Sequence, residues 1–477
     1  MRESRAPRHH AARCVGLALL VTAVLIVPTT EAVAEQRLVD CNSATSGVFT
    51  SINDAISSLT GPPPAMGEWD LIFLKSDCTE NVKVTGGRRI WIAPEWAPWP
   101  GSPTNGRPLP RIVATSAETN ALTVQGPQAV TLANLVLTNG RIGLSANGNA
   151  SVTTYNVVAE HNTFSGINLD TGAALSMYEG GALDNDGYGI RLNVGASATL
   201  FGRQSSMRQQ PLVIGGNGAG GIRNDRGFVY GLRGVIIENN DGPGLASYAG
   251  VSAFGELQVD GVSVFQGNQG GAFVSEGSSI TFWANIALRN NGSYGVYVED
   301  GSNASFIAMR NAATGESRAV VVEGHTRVGV QVVAHSQVAF HGRHVIRANG
   351  SGQQGTWPAG IWVDGGSHAY LDDGGPRFVD TPPEVVDNAG HGIVVTLNSS
   401  IDARAGIVRG NSGVGILIHS RSVGYLGPDR RLLGPTGGVP LLCDSTSLVS
   451  SSIVGRSQHC VNVVAAAPRP LRPAMPE

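Results

Sequence analysis

The sequence predicts an all-β chain wound as a right-handed parallel β-helix solenoid of about eleven coils, with a short N-terminal capping helix. Three observations lead there. A motif of Asn, two or three residues, Gly and a small or aliphatic residue recurs along the chain. After each glycine a few residues alternate between apolar and polar, as in Ile190-Arg191-Leu192 and Val296-Tyr297-Val298. A turn of small residues then precedes a second short alternating run, so each unit holds two or three strands and no helix.

Residues 1–34 read as an export signal. Arg2, Arg5, Arg8 and Arg13 precede the apolar run from Val15 to Val27, and Ala32-Val33-Ala34 is a small-x-small cleavage site. The run falls short of the roughly 20 residues of a membrane span. The expected location after cleavage is outside the cell, in the periplasm or on the cell surface.

Residues 35–110 are expected to form an N-terminal cap and the first coil. Ile52, Ala55, Ile56 and Leu59 have helical spacing, Thr50 or Ser51 can N-cap them, and Gly61 with Pro62-Pro63-Pro64 stops the helix. The Pro-rich stretch 94–110, with Trp91, Trp96 and Trp99, reads as a loop against the first coils.

The repeats occupy residues 111–426. Asn162, Asn185, Asn217, Asn240, Asn268, Asn291, Asn388 and Asn411 open the copies. Gly166, Gly189, Gly221, Gly244, Gly271, Gly295, Gly360, Gly392 and Gly415 give a basic period of about 23 residues with insertions. The long gap between Gly295 and Gly360 has room for an extra coil or two around Ala319 to Val322 and Gly329 to Val332. One coil cannot bury its own apolar side, but stacked coils at about 4.8 Å can, making a rod of roughly 50 Å. Leucine-rich repeats share the period but not the Leu-x-x-Leu-x-Leu pattern, and a propeller needs about twice the period. The Asn column is expected to be structural, bonding along the stack and satisfying turn backbone. The glycines are expected to supply backbone angles that a Cβ forbids.

Residues 427–467 should close the C-terminal end, and 468–477, with four Pro in ten residues, should be a disordered tail. Cys14 leaves with the signal. Cys41, Cys78, Cys443 and Cys460 remain, one pair near each end. Four cysteines allow three pairings. Cys41–Cys78 and Cys443–Cys460 close the shorter loops and are the expected ones. A zinc site is the rival reading, but no Cys-x2-Cys spacing occurs.

Composition narrows the function. Charged residues are 14%, Lys75 and Lys83 are the only lysines, and the net charge is −3. Without residues 1–34 the chain carries 33 − 4 = 29 basic and 36 − 2 = 34 acidic residues, net −5. Nucleic acid is not an expected partner, because phosphate neutralisation needs concentrated positive charge. An apolar content of 42% argues against disorder, and the 64 glycines lack the collagen period.

From about residue 38 to 464 the chain resembles secreted bacterial right-handed β-helix proteins of the pectin-lyase-like superfamily. The resemblance rests on the Asn-x-x-x-Gly-Ile repeat, on Cys41-Asn42 leading to Ile52-Asn53-Asp54-Ala55-Ile56, and on Cys78-Thr79-Glu80-Asn81-Val82. It implies the fold and leaves the activity open, since members include lyases, hydrolases, epimerases, tailspikes and non-catalytic surface proteins. Asp372-Asp373 and Gly390-His391-Gly392 resemble two polygalacturonase motifs in the right order. That family's upstream Asn-x-Asp and downstream Arg-x-Lys have no match, so Asp372, Asp373 and His391 are weak catalytic candidates. Lyases and C5-epimerases need a base and a neutraliser for the substrate carboxylate. Asp364, Asp372, Asp373, Asp380, Glu384 and Asp387 form the densest acidic stretch and the place where calcium would sit; no other cofactor is expected. The Asp-Pro-His-Asp motif of alginate epimerases is absent. Gly216-Asn217-Gly218-Ala219-Gly220-Gly221 spells a dinucleotide fingerprint but lies in a repeat turn with no helix after it.

Alternation supplies the remaining signal. If Ile190, Val296 and Ile361 point inward, one outward column reads Asn168, Arg191, Arg223, Ala246, Tyr297, Trp362, Val394. A second reads Asp170, Asn193, Asp225, Ser247, Glu299, Asp364, Thr396, and the slot before the glycine adds Tyr188, Tyr294 and His391. Aromatics stack on sugar rings and charged groups bond hydroxyls. The leading expectation is therefore an exported scaffold binding a polysaccharide or cell-surface glycan through Tyr188, Arg191, Arg223, Tyr294, Tyr297, Trp362 and Asp364, without evident catalysis. The alternatives are a lyase, C5-epimerase or glycoside hydrolase acting on uronate-containing glycans, and a structural or adhesive surface protein.

Overall fold

The computed structural model describes residues 34–451 apart from 44, 62–67, 100–101, 103–105, 203–210, 233, 256–261, 284, 311–316, 353–357, 374–381 and 428–435. The signal segment to residue 33, Cys460 and the tail lie outside the described residues. Among the described residues no helix is long and apolar enough to cross a membrane.

Apart from one two-stranded antiparallel hairpin the strands pair in parallel, each with its counterpart one coil away, and this defines the parallel β-helix. Parallel crossovers of this kind run right-handed. Each coil has three faces. The first is a 14-stranded sheet, more rungs than the expected eleven or so. The extra rungs come partly from the ends, where Val82–Val84 and Leu441–Cys443 add strands outside residues 111–426. The other strands form a 26-stranded assembly that is two faces joined. Its join is visible in the strand Ala174–Leu183. Residues 174–178 pair with Ser197–Phe201, while 180–183 pair with Leu212–Gly215. Between them Glu179 turns the chain with φ 57°, as Asn134 and Asn156 do in earlier coils.

The corner from first to second face uses left-handed residues such as Thr171-Gly172, Glu276-Gly277 and Asp300-Gly301. A buried small residue follows. From Ser302 on it becomes a serine ladder, Ser302 N–H donating to Ser336 Oγ at 3.2 Å and Ser336 N–H to Ser367 Oγ at 3.1 Å. The corner from third to first face holds the asparagines. A left-handed residue, for example Asp184, Asn239 or Asp387, precedes each one. The Nδ2 of Asn162, Asn185, Asn217, Asn240 and Asn268 donates to Oδ1 of the next asparagine at 2.7–3.1 Å. The same Oδ1 accepts the preceding rung's backbone N–H, and Nδ2 also reaches a third-face carbonyl, as Asn217 does to Ala182 at 3.1 Å. The buried amides are thus satisfied on both ends.

The long gap holds one coil on the first face. Tyr294–Val298 pairs with Val328–Val332, which pairs with Ala359–Val363. Two rungs absent from the expected column complete the ladder there. His325 Nδ1 accepts the Asn291 N–H at 3.3 Å, and Asn349 Oδ1 accepts the His325 N–H at 3.1 Å.

The repeat glycines correct one expectation. None of the nine takes a left-handed φ. Space is what excludes a side chain: a Cβ on Gly189 would lie 2.6 Å from Ile214 Cγ2, 2.8 Å from Asn217 Nδ2 and 2.9 Å from the Gly221 carbonyl. Glycine lets the first face approach the asparagine ladder closely.

Aliphatic columns fill the interior, joined midway by Phe254, Phe265, Phe282, Phe306 and Phe340, all fully buried. Phe306 and Phe340 stack at 4.6 Å between centroids. At the N-terminal end the helix Ile52–Ser57 buries Ile52 and Ala55, with Ser51 as its cap. Glu80 accepts the Ile52 N–H at 2.5 Å, the Asn53 N–H at 3.2 Å and Asn53 Nδ2 at 2.8 Å. Cys41–Cys78 is bonded as expected, and Cys443 is also disulfide-bonded.

Candidate functional site

The strand register of the first face aligns the outward residues. Asn168, Arg191, Arg223, Ala246, Phe273, Tyr297, Gln331, Trp362 and Val394 form one row, so the expected column holds, with Phe273 and Gln331 added. The neighbouring row needs a correction. Tyr248, not Ser247, pairs beside Asp225; Ser247 pairs with Asn224 and is buried. The slot before the glycine carries Tyr188 against Gly220, and farther along Tyr294, Val328, Ala359 and His391.

These rows bring most of the expected side chains together. The Arg223 guanidinium lies 5.7 Å from the Tyr188 ring centre and 5.1 Å from that of Tyr248, while its Nε donates to Asp225 at 2.8 Å. Partial burial opposes its charge, but the Asp225 hydrogen bond and charge outweigh this and raise its pKa. Arg191 stands over Phe164 at 5.3 Å and approaches the same Asp225 at 3.7 Å. Asn193, Arg223, Asp225, Arg226, Tyr248 and Glu276 help line a cleft of about 360 Å³.

Beyond the cleft the surface becomes aromatic. Tyr248 and Phe273 are 5.6 Å apart, Phe273 and Tyr297 stack in parallel at 5.6 Å, and Tyr294 tilts against Tyr297 at 5.4 Å. Burial raises the Tyr294 pKa. Burial and then the Glu299 charge push Tyr297 up to about 12. Both phenols stay neutral at physiological pH and can donate hydrogen bonds. Gln331 then separates Tyr297 from Trp362 by one coil. Trp362 Nε1 points to Thr396 Oγ1 at 3.5 Å, and Thr396 donates to Asp364 at 2.6 Å. Past Trp362 the row turns aliphatic, and the buried Val394 and Leu417 pack there with Ala359, Leu442 and Trp362 itself.

The catalytic candidates are not brought together. Asp372 ends the second-face strand His368–Asp372, whereas His391 begins the first-face strand His391–Val395. The Tyr370 hydroxyl donates to Asp372 at 2.7 Å. His391 Nδ1 accepts the Val414 N–H at 3.0 Å, and burial lowers its pKa. The acidic stretch is also dispersed: Asp364 follows a first-face strand, and Glu384 opens a third-face strand. Asp380 lies outside the described residues. Among the described residues, the one group of three metal-capable side chains is Cys41, Cys78 and Glu80. There the cysteines are joined and Glu80 holds the helix N-terminus.

Phe164, Tyr248 and Phe273 are site residues that motif reading missed. Phe273 follows the shortened copy Asn268-Gln-Gly-Gly271-Ala272, and the alternation past Ala272 is the signal that finds it.

Fold and surface define a parallel β-helix protein with a half-exposed strip of rings and charges along one face. No protein-family model and no curated protein matches the chain. Among solved structures it is similar to the A-modules of the mannuronan C-5 epimerases AlgE6 and AlgE4 of Azotobacter vinelandii. For AlgE6 the identity is 14% over 78% of this chain and 83% of that one, with a TM-score of 0.26. For AlgE4 it is 12% over 80% and 83%, with a TM-score of 0.24. At these values the likeness adds nothing about activity, and the strand pairing alone defines the fold.

Proposed function

We propose that the first face binds an extended polysaccharide outside the cell. The observation that carries this is the run of half-exposed rings from Tyr188 through Tyr248, Phe273 and Tyr297 toward Trp362, parallel to the rod axis and flanked by Arg191, Arg223, Asp225 and Asp364. Sugar C–H faces pack on such rings, and the fixed charged groups bond hydroxyls or carboxylates. Arg223 is held by Asp225 and two tyrosine rings, so little side-chain freedom is left to lose on binding. The reading assigns no bond-breaking step to the face.

Affinity electrophoresis through gels carrying pectin, alginate or a host exopolysaccharide tests it. The native protein should be retarded by at least one gel. Trp362→Ala should weaken retention by about 1–2 kcal/mol at about 25 cal/mol per Å² of apolar contact, with folding nearly unchanged. If no gel retards the native protein, the structural-protein reading replaces this one. Shortened polymer, or new absorbance at the wavelength of unsaturated uronates, would favour an enzyme, with His391 and Asp373 the first residues to substitute.

A further inference from the structure

The second face carries a different surface. Its strands Ser279–Trp283, Asn303–Ile307, Gln337–His341 and His368–Asp372 pair in succession. They border a trough of about 480 Å³, within the usual range of roughly 300–1,000 Å³ for small-ligand sites. Ser279, Thr281, Asn303, Ser305 and Gln337 line it with hydroxyls and amides. Among the described residues none of these five side chains has a hydrogen-bond partner in the protein, whereas first-face charges pair with one another. Tyr370 forms part of the wall. Its hydroxyl bonds Asp372 and the Arg404 guanidinium lies 5.2 Å from its ring centre, so the ring is fixed in place. In the same outward row stand two more exposed tyrosines, Tyr230 (42% exposed) before the trough and Tyr425 (37%) beyond it.

No Arg, Lys, Asp or Glu lines the trough. His368, the one titratable lining residue besides Tyr370, is bound to Ser400 Oγ at 2.8 Å, and burial lowers its pKa. An anionic chain entering would lose solvation without meeting a cation on the lining, and Arg404 at the Tyr370 end is already paired with Asp402 at 3.2 Å. A chain of hydroxyl-bearing neutral sugars would meet donors and acceptors along its edges and a ring at the end.

We propose that this trough is a second saccharide site, specific for a neutral glycan and independent of the first-face site. Polar groups on adjacent paired strands offer unpaired hydrogen-bonding groups at regular spacing, and rejection of charge supplies the selectivity.

The test is affinity electrophoresis of the full chain through gels carrying dextran, galactomannan or a soluble β-glucan, with thermal melts as the folding control. The native protein should be retarded by at least one neutral polymer. Ser305→Arg, which fills the half-exposed floor, and Tyr370→Ala should each reduce the apparent affinity about tenfold, an effect of about 1.4 kcal/mol. Gln337→Ala, at an exposed position, should reduce it in the same direction and serves if either of the others fails to fold. Trp362→Ala should leave neutral-polymer retention unchanged, and Tyr370→Ala should leave retention by acidic polymers unchanged. The proposal is overturned if no neutral polymer retards the native protein. It is equally overturned if retention survives the second-face variants, or if Trp362→Ala removes it.

Discussion

His325 shows what a single residue does to the stack. It occupies an asparagine rung, accepting the Asn291 N–H on Nδ1 while Nε2 faces the Leu288 carbonyl at 3.2 Å. That pattern requires the neutral ring with its proton on Nε2. Burial lowers its pKa to about 4, and burial lowers His344, packed against Phe306 and Phe340, to about 3. Both folded-state values lie below the ordinary 6.5. The unfolded chain therefore binds more protons between the two values, and stability falls as pH drops from about 6.5 toward 4. For His325 the loss amounts to roughly 3 kcal/mol at about 1.4 per pH unit. Asparagine keeps the rung and does not titrate. His325→Asn should flatten this part of the stability–pH curve while changing stability at pH 8 by less, as read by chemical denaturation at several pH values. An unchanged slope would show that the ring is solvated in the folded state. This rung was not legible in the sequence because histidine is not asparagine. Asn349 escaped because residues 350–359 separate it from Gly360. The eight other rungs were legible because identity and spacing recur together.

At the scale of an element, the N-terminal helix was legible from its apolar spacing and its Ser51 cap. Its anchor was not. Glu80 lies nearly thirty residues away, and chain separation hides such contacts from any local pattern. The helix has six residues, too few for its own hydrogen bonds to sustain it. Its first amides converge on Glu80, which also accepts from Ser51 Oγ at 3.0 Å. A carboxylate there compensates the positive helix end. Glu80→Ala should strand these donors and cost about 1–3 kcal/mol. Hydrogen exchange should accelerate at residues 52–57 and in the strand Gln36–Val39, with little change past residue 130. Undiminished protection of the helix would show that burial of Ile52 and Ala55 alone holds it. The ring strip was legible in the same partial way. Arg191, Arg223, Tyr297 and Trp362 follow directly from alternation. Phe273 was lost where a shortened repeat blurred the register, and Tyr248 because its row was read one residue short, at Ser247.

The whole molecule is one-dimensional: the strands of each coil pair only with the coils before and after, so stability is a sum of coil terms and neighbour terms. A perturbation at one end should stay there. The Cys41–Cys78 bond ties the segment before the helix to the strand that leads into the first coils. Replacing both cysteines with serine removes a restraint on the unfolded chain, worth about 2–5 kcal/mol in a small domain. In a rod the effect should appear as fraying of the first coils. Hydrogen exchange should rise over residues 36–94 and remain at native values from Ser263–Gln266 onward. Trp362, many coils away, should keep its contact with Thr396, and any glycan retention by the first face should persist below the temperature at which the end melts. A two-step melt, the smaller step confined to the N-terminal coils, is the expected calorimetric trace. A single cooperative transition, lowered as a whole, would mean that the coils are coupled over the full rod. The binding faces could then not be treated as independent of the ends.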